Sequence, residues 1–375
     1  MAAEREKVVV AMSGGVDSSV AAALLKRQGY EVIGCFMRLG SPKGVEEEVE
    51  CKIDPNAPPA KQKQGCCSVL DAGDARRVAQ LLDIPFYVLN FQEDFGRVID
   101  YFVDEYNRGR TPNPCVRCND WLKFGRLAQY AEAVGAKYVA SGHYARTGVD
   151  PITGQKTLLR GLDHKKDQSY VLFGMPGGHV EKLMLPIGEF EKSDVRAIAE
   201  SLDLPVFNKP DSQEICFVPD QDYAGLLKRR SAESFRAGEL VTTSGEIVGQ
   251  HAGHQHFTIG QRKGLGVARG VPLYVIDIEP GSDRVILGGR DELLRTTVIA
   301  SQINLLGPRI GETPVPCTAK IRYNTSPQPA TVRRTGDDQI TVEFDQPQSA
   351  VAPGQAVVCY DGDVVLGGGW IDSSK

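Results

Sequence analysis

The chain has 375 residues, of which 41% are hydrophobic and 24% charged, and its formal net charge is −5. These values are those of a globular protein, and the chain is long enough for two or three domains. Its apolar runs are shorter than the ~20 residues that cross a bilayer. The charged N-terminus and nine cysteines in so long a chain are unlike a secreted disulfide scaffold. We therefore expect a cytoplasmic, monomeric protein with no membrane partner, and the negative charge argues against indiscriminate nucleic-acid binding.

The first informative stretch is Ser13-Gly14-Gly15-Val16-Asp17-Ser18-Ser19, which follows the apolar run Val8 to Met12. The pattern predicts a strand, a tight turn and a helix. Paired glycines let backbone N–H groups approach an anion, and the helix N-terminus adds partial positive charge. No lysine follows the glycines, so the common phosphate-loop pattern fails, and the spacing of a dinucleotide fold is also missing. The stretch indicates an unusual phosphate-binding loop, the alternative being a turn that merely connects strand to helix.

Strand and helix patterns then alternate as far as Gly142. Strands are predicted at Glu31 to Met37, Phe86 to Asn90 and Tyr138 to His143, and helices at Asp71 to Leu82, Asp94 to Tyr106 and Asp120 to Ala133. This alternation predicts a doubly wound parallel sheet, in which ligands bind beyond the carboxyl ends of strands. We expect the Gly-rich loop, Met37 and Gly142 to line one pocket there.

Residues Gly40 to Gly65 carry few large apolar side chains, which predicts a mobile insertion. Cys51, Cys66 and Cys67 lie in or beside it. Because adjacent cysteines rarely ligate one metal ion together, we interpret all three as ordinary thiols.

The second informative stretch is Arg110 to Asn119, in which two prolines one residue apart predict a stiff loop. Cys118 stands just before the predicted helix and beside Arg117, and both features would lower a thiol pKa. The single C-x-x-C pair of Cys115 and Cys118 is a weak metal signal, because structural zinc needs four ligands. It suits redox or sulfur chemistry equally well.

Further along, Leu158 to Phe173 predicts a loop leading into a helix, and Glu191 to Leu204 predicts an amphipathic helix ended by Pro205. The third informative stretch, Lys209 to Phe217, contains Cys216. Judged by its apolar neighbours alone, Cys216 is a buried structural thiol.

Beyond Ala237, short segments rich in Val, Ile and Thr recur between turns, which indicates an antiparallel sheet or small barrel. We predict three domains: a catalytic α/β domain over residues 1–209, a connector over 210–285 and a C-terminal antiparallel β-barrel over 286–375.

The run SGGVDSS resembles the PP-loop of the ATP pyrophosphatases. Together with RTPNPCVRCN, SGHY, LDHKKDQSY, DSQEICF, HFTIGQRKGLG, PGQAVV and LGGGW, it is similar in order and over nearly the whole chain to the tRNA-specific 2-thiouridylase family. The resemblance implies a sulfurtransferase that uses ATP and Mg²⁺ to adenylate the C2 carbonyl of the wobble uridine of tRNA. It also implies release of pyrophosphate and a persulfide sulfur supplied by a carrier protein or a cysteine desulfurase.

The resemblance further implies roles for individual residues. The ATP-binding residues would be Ala11, Met12, Ser13, Gly14, Gly15, Val16, Asp17, Ser18, Met37 and Gly142. The catalytic residues would be Cys118, Cys216 and Cys115. Cys216 would receive sulfur as a persulfide, and Cys118 would be the partner nucleophile. The tRNA-binding residues would be Asn113, Pro114, Cys115, His143, Lys166, Asp167, Gln168, Arg322, Tyr323 and Gln355, of which the first three would hold a flipped-out base, and the C-terminal barrel would bind tRNA.

One position departs from the family, which usually has an acid where this chain has Cys115. The change creates three thiols, Cys115, Cys118 and Cys216, and three cysteines with one open iron position would suit a catalytic iron–sulfur cluster. The persulfide–disulfide route and the cluster route both stay open. So do two other functions, a PP-loop amidotransferase or synthetase and a non-enzymatic RNA-binding or iron–sulfur scaffold.

Overall fold

The computed structural model describes residues 5–40, 69–211, 215–218, 222–267 and 269–375. The predicted insertion after Gly40 lies outside the described residues, and so do its three cysteines and residues 212–214 of the Cys216 motif. The chain divides into two compact units, one of Met1–Arg97 and Cys115–Gln221 and the other of Val98–Pro114 and Asp222–Lys375. Across the described ranges, no helix combines the length and apolar character needed to cross a membrane.

A five-stranded parallel sheet of order β3-β2-β1-β4-β7 forms the centre of the first unit. The strands are β1 Lys7–Ala11, β2 Glu31–Arg38, β3 Phe86–Asn90, β4 Tyr138–Ser141, β5 Ala145–Val149, β6 Lys156–Arg160 and β7 Leu183–Met184, of which β5 and β6 pair antiparallel with each other and are not part of this parallel sheet. The helices are α1 Val16–Arg27, α2 Val69–Leu81, α3 Gln92–Asn107, α4 Pro114–Arg117, a π-helix Cys118–Arg126, α5 Leu127–Ala133 and α6 Lys192–Ser201. The predicted α/β fold with a parallel sheet is confirmed.

The core of this unit packs around β1 and α1. Val8, Val9 and Val10 are fully buried, as expected for a central parallel strand covered on both faces. Helix α1 is buried nearly all round, because its small alanines Ala21 and Ala22 let neighbouring elements pack closely. The N-terminus of α1 is therefore held firmly at the carboxyl end of β1.

The helix that carries Cys118 differs from the prediction. It begins at Pro114 rather than at Asp120, since proline lacks the N–H that the first helical position does not need. After one α-helical turn it continues as a nine-residue π-helix from Cys118 to Arg126. Cys118 therefore lies inside a continuous helical segment and not just before a helix.

Two other elements are shorter than predicted. Helix α6 ends at Ser201 instead of Leu204, because Asp203 adopts a left-handed conformation with φ +51° that stops the helix. The stretch from Leu158 to Phe173 contains the end of β6 and then only a 3₁₀ turn, Ser169–Leu172.

Besides α3 from Val98 to Asn107, the described residues of the second unit contain two β assemblies and one further α-helix. Strands β8 Gly238–Thr242, β9 Ile247–His251, β10 Tyr274–Glu279 and β11 Arg284–Gly288 form a sheet of order β10-β11-β8-β9, and the helix is α7 Tyr223–Arg230. Six antiparallel strands form a barrel that closes where β12 pairs with β17. They are β12 Leu294–Leu305, β13 Val315–Lys320, β14 Gln328–Gly336, β15 Gln339–Ser349, β16 Ala356–Asp361 and β17 Val364–Ser374. The predicted C-terminal antiparallel barrel is confirmed.

Gly367 sits where the barrel closes, paired with Leu305 on one side and Cys359 on the other. Its φ is +132°, and a Cβ added there would lie 2.4 Å from the carbonyl oxygen of Asn304. Any side chain at this position would therefore push β12 and β17 apart.

We predict that Gly367→Ala lowers the free energy of unfolding by about 2 kcal/mol or more, because it combines backbone strain with a clash. Urea unfolding followed by tryptophan fluorescence measures the effect. Gly307→Ala is the matched control, since an added Cβ at Gly307 meets nothing within 4 Å. Equal midpoints for the two variants would contradict the prediction.

Candidate phosphate-binding and thiol site

The loop Ser13–Ser18 joins β1 to α1 and is closed by its own hydroxyls. Ser18 Oγ accepts a hydrogen bond from the Ser13 backbone N–H at 3.1 Å, and Ser19 Oγ donates to the Gly15 carbonyl at 2.8 Å. Gly14 has φ +75°, and a Cβ there would lie 2.2 Å from the Asp71 carbonyl oxygen. The N-cap of α1 is Gly15, so no side chain caps the first turn of the helix. The geometry fits an anion held by backbone N–H groups.

The carboxyl ends of neighbouring strands bring the other predicted ATP-binding residues to the same edge. Strand β1 lies between β2, which carries half-buried Met37 near its end, and β4, which Gly142 follows directly. A Cβ on Gly142 would lie 2.5 Å from the Ser18 backbone nitrogen, so only glycine permits this approach. The structure brings the loop and these two positions together, and their contact with ATP stays a prediction.

A network of charges that the sequence analysis missed surrounds Asp17. Its carboxylate accepts hydrogen bonds from Lys192 Nζ at 2.7 and 2.9 Å and from the Tyr144 hydroxyl at 2.8 Å. Lys192 Nζ also lies 2.8 Å from Asp211 Oδ1. No local signal marks Lys192, because it stands 175 residues from Asp17 in the chain.

Asp211 is the common partner of three cations. Lys166 Nζ lies 2.9 Å and Arg196 3.2 Å from its carboxylate, in addition to Lys192. Burial alone would raise the pKa of Asp211, but the hydrogen bonds from Lys192 and Lys166 lower that pKa to about 2. Asp211 is thus ionised at neutral pH and holds these cations in place. Burial, and then the negative charge of Asp17, raise the pKa of Tyr144, so its hydroxyl stays a donor at neutral pH.

Lys209 forms a second link between this segment and the loop. Its Nζ donates to the Gly14 carbonyl oxygen at 2.9 Å and to Asp71 and Asp74 at 2.6 and 2.8 Å. Lys209 and Asp211 both precede Cys216 in the chain, so the segment that leads to this cysteine is attached to the phosphate loop.

Cys118 and Cys216 are both half-buried thiols rather than halves of a disulfide. The segments that carry them contact the first half of α3. The Phe217 ring lies 5.6 Å from that of Phe95, and the Arg97 guanidinium lies 5.1 Å from the Trp121 ring centroid. Helix α3 therefore contacts both cysteine segments, through side chains that point to different sides of the helix.

The metal expectations fit these residues poorly. In the described part of the chain, no three His, Cys, Asp or Glu side chains are grouped as metal ligands would be, and the three candidate thiols are therefore not arranged for a cluster here. For Mg²⁺, the Asp17 carboxylate is already engaged by Lys192 and Tyr144. While Lys192 and Tyr144 hold Asp17, the described loop offers a metal no open carboxylate, and Mg²⁺ and the cluster stay predictions.

Three predicted tRNA contacts in the first unit form hydrogen bonds within the protein, and two of them, His143 and Asp167, are buried whereas Gln168 is half-buried. His143 is 7% exposed, and its ring nitrogens lie 2.7 Å from Ser141 Oγ and 3.3 Å from Lys123 Nζ. Asp167 is buried and accepts hydrogen bonds from Arg160 and from two backbone N–H groups. Gln168 accepts one from the Tyr144 N–H. In this conformation, all three side chains are engaged within the protein.

The remaining predicted tRNA contacts lie in the second unit, except for Lys166, which pairs with Asp211, and Cys115, which is exposed. Tyr323 is partly exposed, with Lys320 Nζ 5.6 Å from its ring centroid, and Arg322 donates to the Ser349 and Ala350 carbonyls. Gln355 Nε2 donates to the carbonyls of Thr111 and Pro112 at 3.1 and 3.0 Å. Gln355 therefore fixes the loop just before half-buried Asn113 and buried Pro114.

The buried imidazole of His143 predicts a pH effect on stability. Burial, and then the nearby charge of Lys123, lower the pKa of His143 well below its usual value. The neutral imidazole therefore costs no stability above the unfolded pKa of about 6.5. As the pH falls below that value, the unfolded chain binds a proton that the folded chain does not, and the free energy of unfolding decreases by up to about 2 kcal/mol at pH 5.

We expect His143→Gln to show a smaller loss of stability than the unmodified chain between pH 7 and pH 5 in urea unfolding. Burial raises the pKa of Asp120 to about 6, so this residue stabilises the fold as the pH falls, and it does so equally in both proteins. The difference between the two pH profiles therefore isolates His143. Parallel pH profiles would contradict the assignment.

Comparison with protein families gives three consecutive matches. Residues 6–220 match the tRNA methyl transferase HUP domain, residues 225–289 the tRNA methyl transferase PRC-barrel domain and residues 295–371 the aminomethyltransferase beta-barrel domain. The first match alone covers more than half of the chain.

Curated relatives align over nearly the full length. The tRNA-specific 2-thiouridylase MnmA of Rhodopirellula baltica is 50% identical over 388 residues, which cover 97% of this chain and 96% of the relative. The protein of the same name from Carboxydothermus hydrogenoformans is 50% identical over 371 residues and 98% of both chains. That of Clostridioides difficile is 47% identical over 370 residues, 98% of this chain and 99% of its own.

Proposed function

Because this chain belongs to the tRNA-specific 2-thiouridylase family, we propose that it uses ATP to adenylate the C2 carbonyl of the wobble uridine of tRNA and replaces that oxygen with sulfur. The observation that carries the proposal is that the first unit contains both a phosphate-binding loop and two thiols. The loop lies at the carboxyl edge of a parallel sheet, and the half-buried thiols, Cys118 and Cys216, belong to segments that both contact α3.

In the first step, the uracil O2 attacks the α-phosphorus of ATP. A new P–O bond forms, the bond between the α-phosphorus and the bridging oxygen breaks, and pyrophosphate leaves. The amides of the first turn of α1 and the hydroxyls of Ser13 and Ser18 bind the phosphates, while Met37 and Gly142 line the adenosine. The carbonyl oxygen becomes part of AMP, which is a good leaving group.

In the second step, Cys216 carries the sulfur as a persulfide received from a carrier protein or a cysteine desulfurase. The terminal sulfur attacks C2 and AMP leaves with the former carbonyl oxygen. The Cys118 thiolate then attacks the inner sulfur of Cys216, which releases the thiocarbonyl product and forms a Cys118–Cys216 disulfide. The electron pair that reduces the transferred sulfur comes from Cys118, and an external dithiol must later reduce the disulfide. In a variant of this route, Cys118 forms the disulfide first and the released sulfide attacks C2.

The tRNA would present a flipped-out uracil to Asn113, Pro114 and Cys115, because a base must leave the stack before its carbonyl can be modified. In the barrel, Arg322 would contact the RNA backbone and Tyr323 a base. Binding through such backbone contacts weakens as the salt concentration rises. Gln355 acts on tRNA through the loop it holds at Thr111 and Pro112.

The function is tested by nucleoside analysis of tRNA from cells that lack this protein, in which 2-thiouridine should disappear. With purified protein, pyrophosphate release should depend on added tRNA. A synthetase that acts on a small carboxylate would need another substrate, and a non-enzymatic scaffold would release none, so either result would contradict the proposal.

We predict that Cys118→Ser and Cys216→Ser abolish thiolation, because each removes a sulfur atom that the second step requires. Both variants should keep tRNA binding and tRNA-dependent pyrophosphate release, since adenylation needs neither thiol. Cys317→Ser is the matched control, as Cys317 is a half-buried thiol of the barrel. Full thiolation by either of the first two variants would overturn the assigned roles.

Iron and acid-labile sulfide analysis after anaerobic purification separates the two sulfur routes. The persulfide–disulfide route predicts neither element at stoichiometric level in active protein, in line with the absence of a three-ligand group among the described residues. A stoichiometric cluster that is lost in Cys115→Ser would instead favour the cluster route.

A further inference from the structure

The phosphate loop contains no cation of its own. Between Ser13 and Ser19 the only charged side chain is Asp17, which would repel the phosphates of ATP. Common phosphate loops place a lysine directly after their glycines to meet this charge. The charge on a departing pyrophosphate therefore needs a counter-charge that the loop itself does not supply.

Lys192 is one of two lysines that reach the loop in the described part of the chain. Its Nζ bridges Asp17 in the loop and Asp211 outside it at 2.7 to 2.9 Å, with only 12% of its side chain exposed. Its backbone is fixed at the start of α6 by the Glu191–Asp194 capping box and by a hydrogen bond from its N–H to Asp163. The ammonium group is therefore held in place beside the loop.

The other lysine, Lys209, is tied down differently. One of its three acceptors is the Gly14 carbonyl, and Asp71 and Asp74 take its other two hydrogen bonds. A backbone carbonyl of the loop itself cannot be exchanged for a phosphate without breaking the loop. Lys209 is thus a structural brace of the loop.

Lys192 is held instead by acidic partners that can be exchanged. Phosphate oxygens can replace the carboxylates of Asp17 and Asp211, because both offer an ammonium group charged acceptors of similar geometry. Asp211 would keep Lys166 and Arg196 after such an exchange, and Asp17 would keep the Tyr144 hydroxyl. Both carboxylates would therefore retain a hydrogen-bonding partner after the exchange.

We propose that Lys192 is the phosphate-binding lysine of this site, pairing with the β- and γ-phosphates of ATP and stabilising pyrophosphate as it leaves. Asp17 and Asp211 hold it in place until the nucleotide arrives. The inference rests on the proposed use of ATP and names the residue that replaces the missing lysine of the loop.

Isothermal titration of the full chain with ATP, AMP and inorganic pyrophosphate tests this assignment. A charge-assisted hydrogen bond contributes ~1.5–3 kcal/mol, so Lys192→Gln should weaken ATP and pyrophosphate binding about 10- to 100-fold. AMP, which has no β- or γ-phosphate, should bind within about twofold of the unmodified chain. Lys182→Gln is the control, because Lys182 forms an exposed surface pair with Glu132.

Lys192→Arg keeps the positive charge and should retain most of the affinity for pyrophosphate, which separates loss of charge from loss of folding. Unchanged ATP and pyrophosphate binding in Lys192→Gln would overturn the assignment, as would an equal loss for AMP. If the unmodified chain bound AMP and pyrophosphate but released no pyrophosphate with tRNA, the proposed function would fail while the role of Lys192 in binding stood. If it bound no nucleotide, both would fail.

Discussion

The site depends on the close approach of Gly142 to the start of α1. Because Gly142 has no side chain, the end of β4 reaches the backbone of Asp17 and Ser18, where a Cβ would come within 2.5 Å. This contact holds the phosphate loop against the neighbouring strand end. It also places Tyr144, two residues further on, where its hydroxyl meets Asp17. The backbone packing thereby sets the position of the loop's only charge.

Charge balance around the loop is built from segments that are distant in sequence. Lys192 pairs with Asp17 of the loop and Lys209 with the Gly14 carbonyl. Lys166, Lys192 and Arg196 all pair with the one carboxylate of Asp211. Each carboxylate in this group has at least one cation or hydroxyl donor, as buried charges require. The segment that contains Lys209 and Asp211 continues to Cys216. The same set of ion pairs therefore links the loop to the segment that carries this thiol.

Local patterns predicted the sheet, the Gly-rich loop and the barrel well, because buried parallel strands such as Val8 to Val10 and glycine pairs have direct sequence signatures. The helix start at Pro114 was missed because a proline looks the same in a loop and at a first helical position. The Lys192–Asp17 pair could not be predicted from spacing, since only the tertiary fold joins residues 175 apart. His143 is the opposite case, because its sequence motif predicted a contact with tRNA whereas the structure buries its side chain.

The π-helix from Cys118 to Arg126 has a consequence for the direction in which the Cys118 thiol points. A π-helical stretch accommodates extra residues per turn, so it sets the angle between Cys118 and the rest of the helix down to Ala133. Deleting one residue within it would let the segment wind as an ordinary α-helix and would change the position of the Cys118 thiol around the axis relative to α5. The orientation of this thiol therefore depends on the length of the segment as well as on its composition.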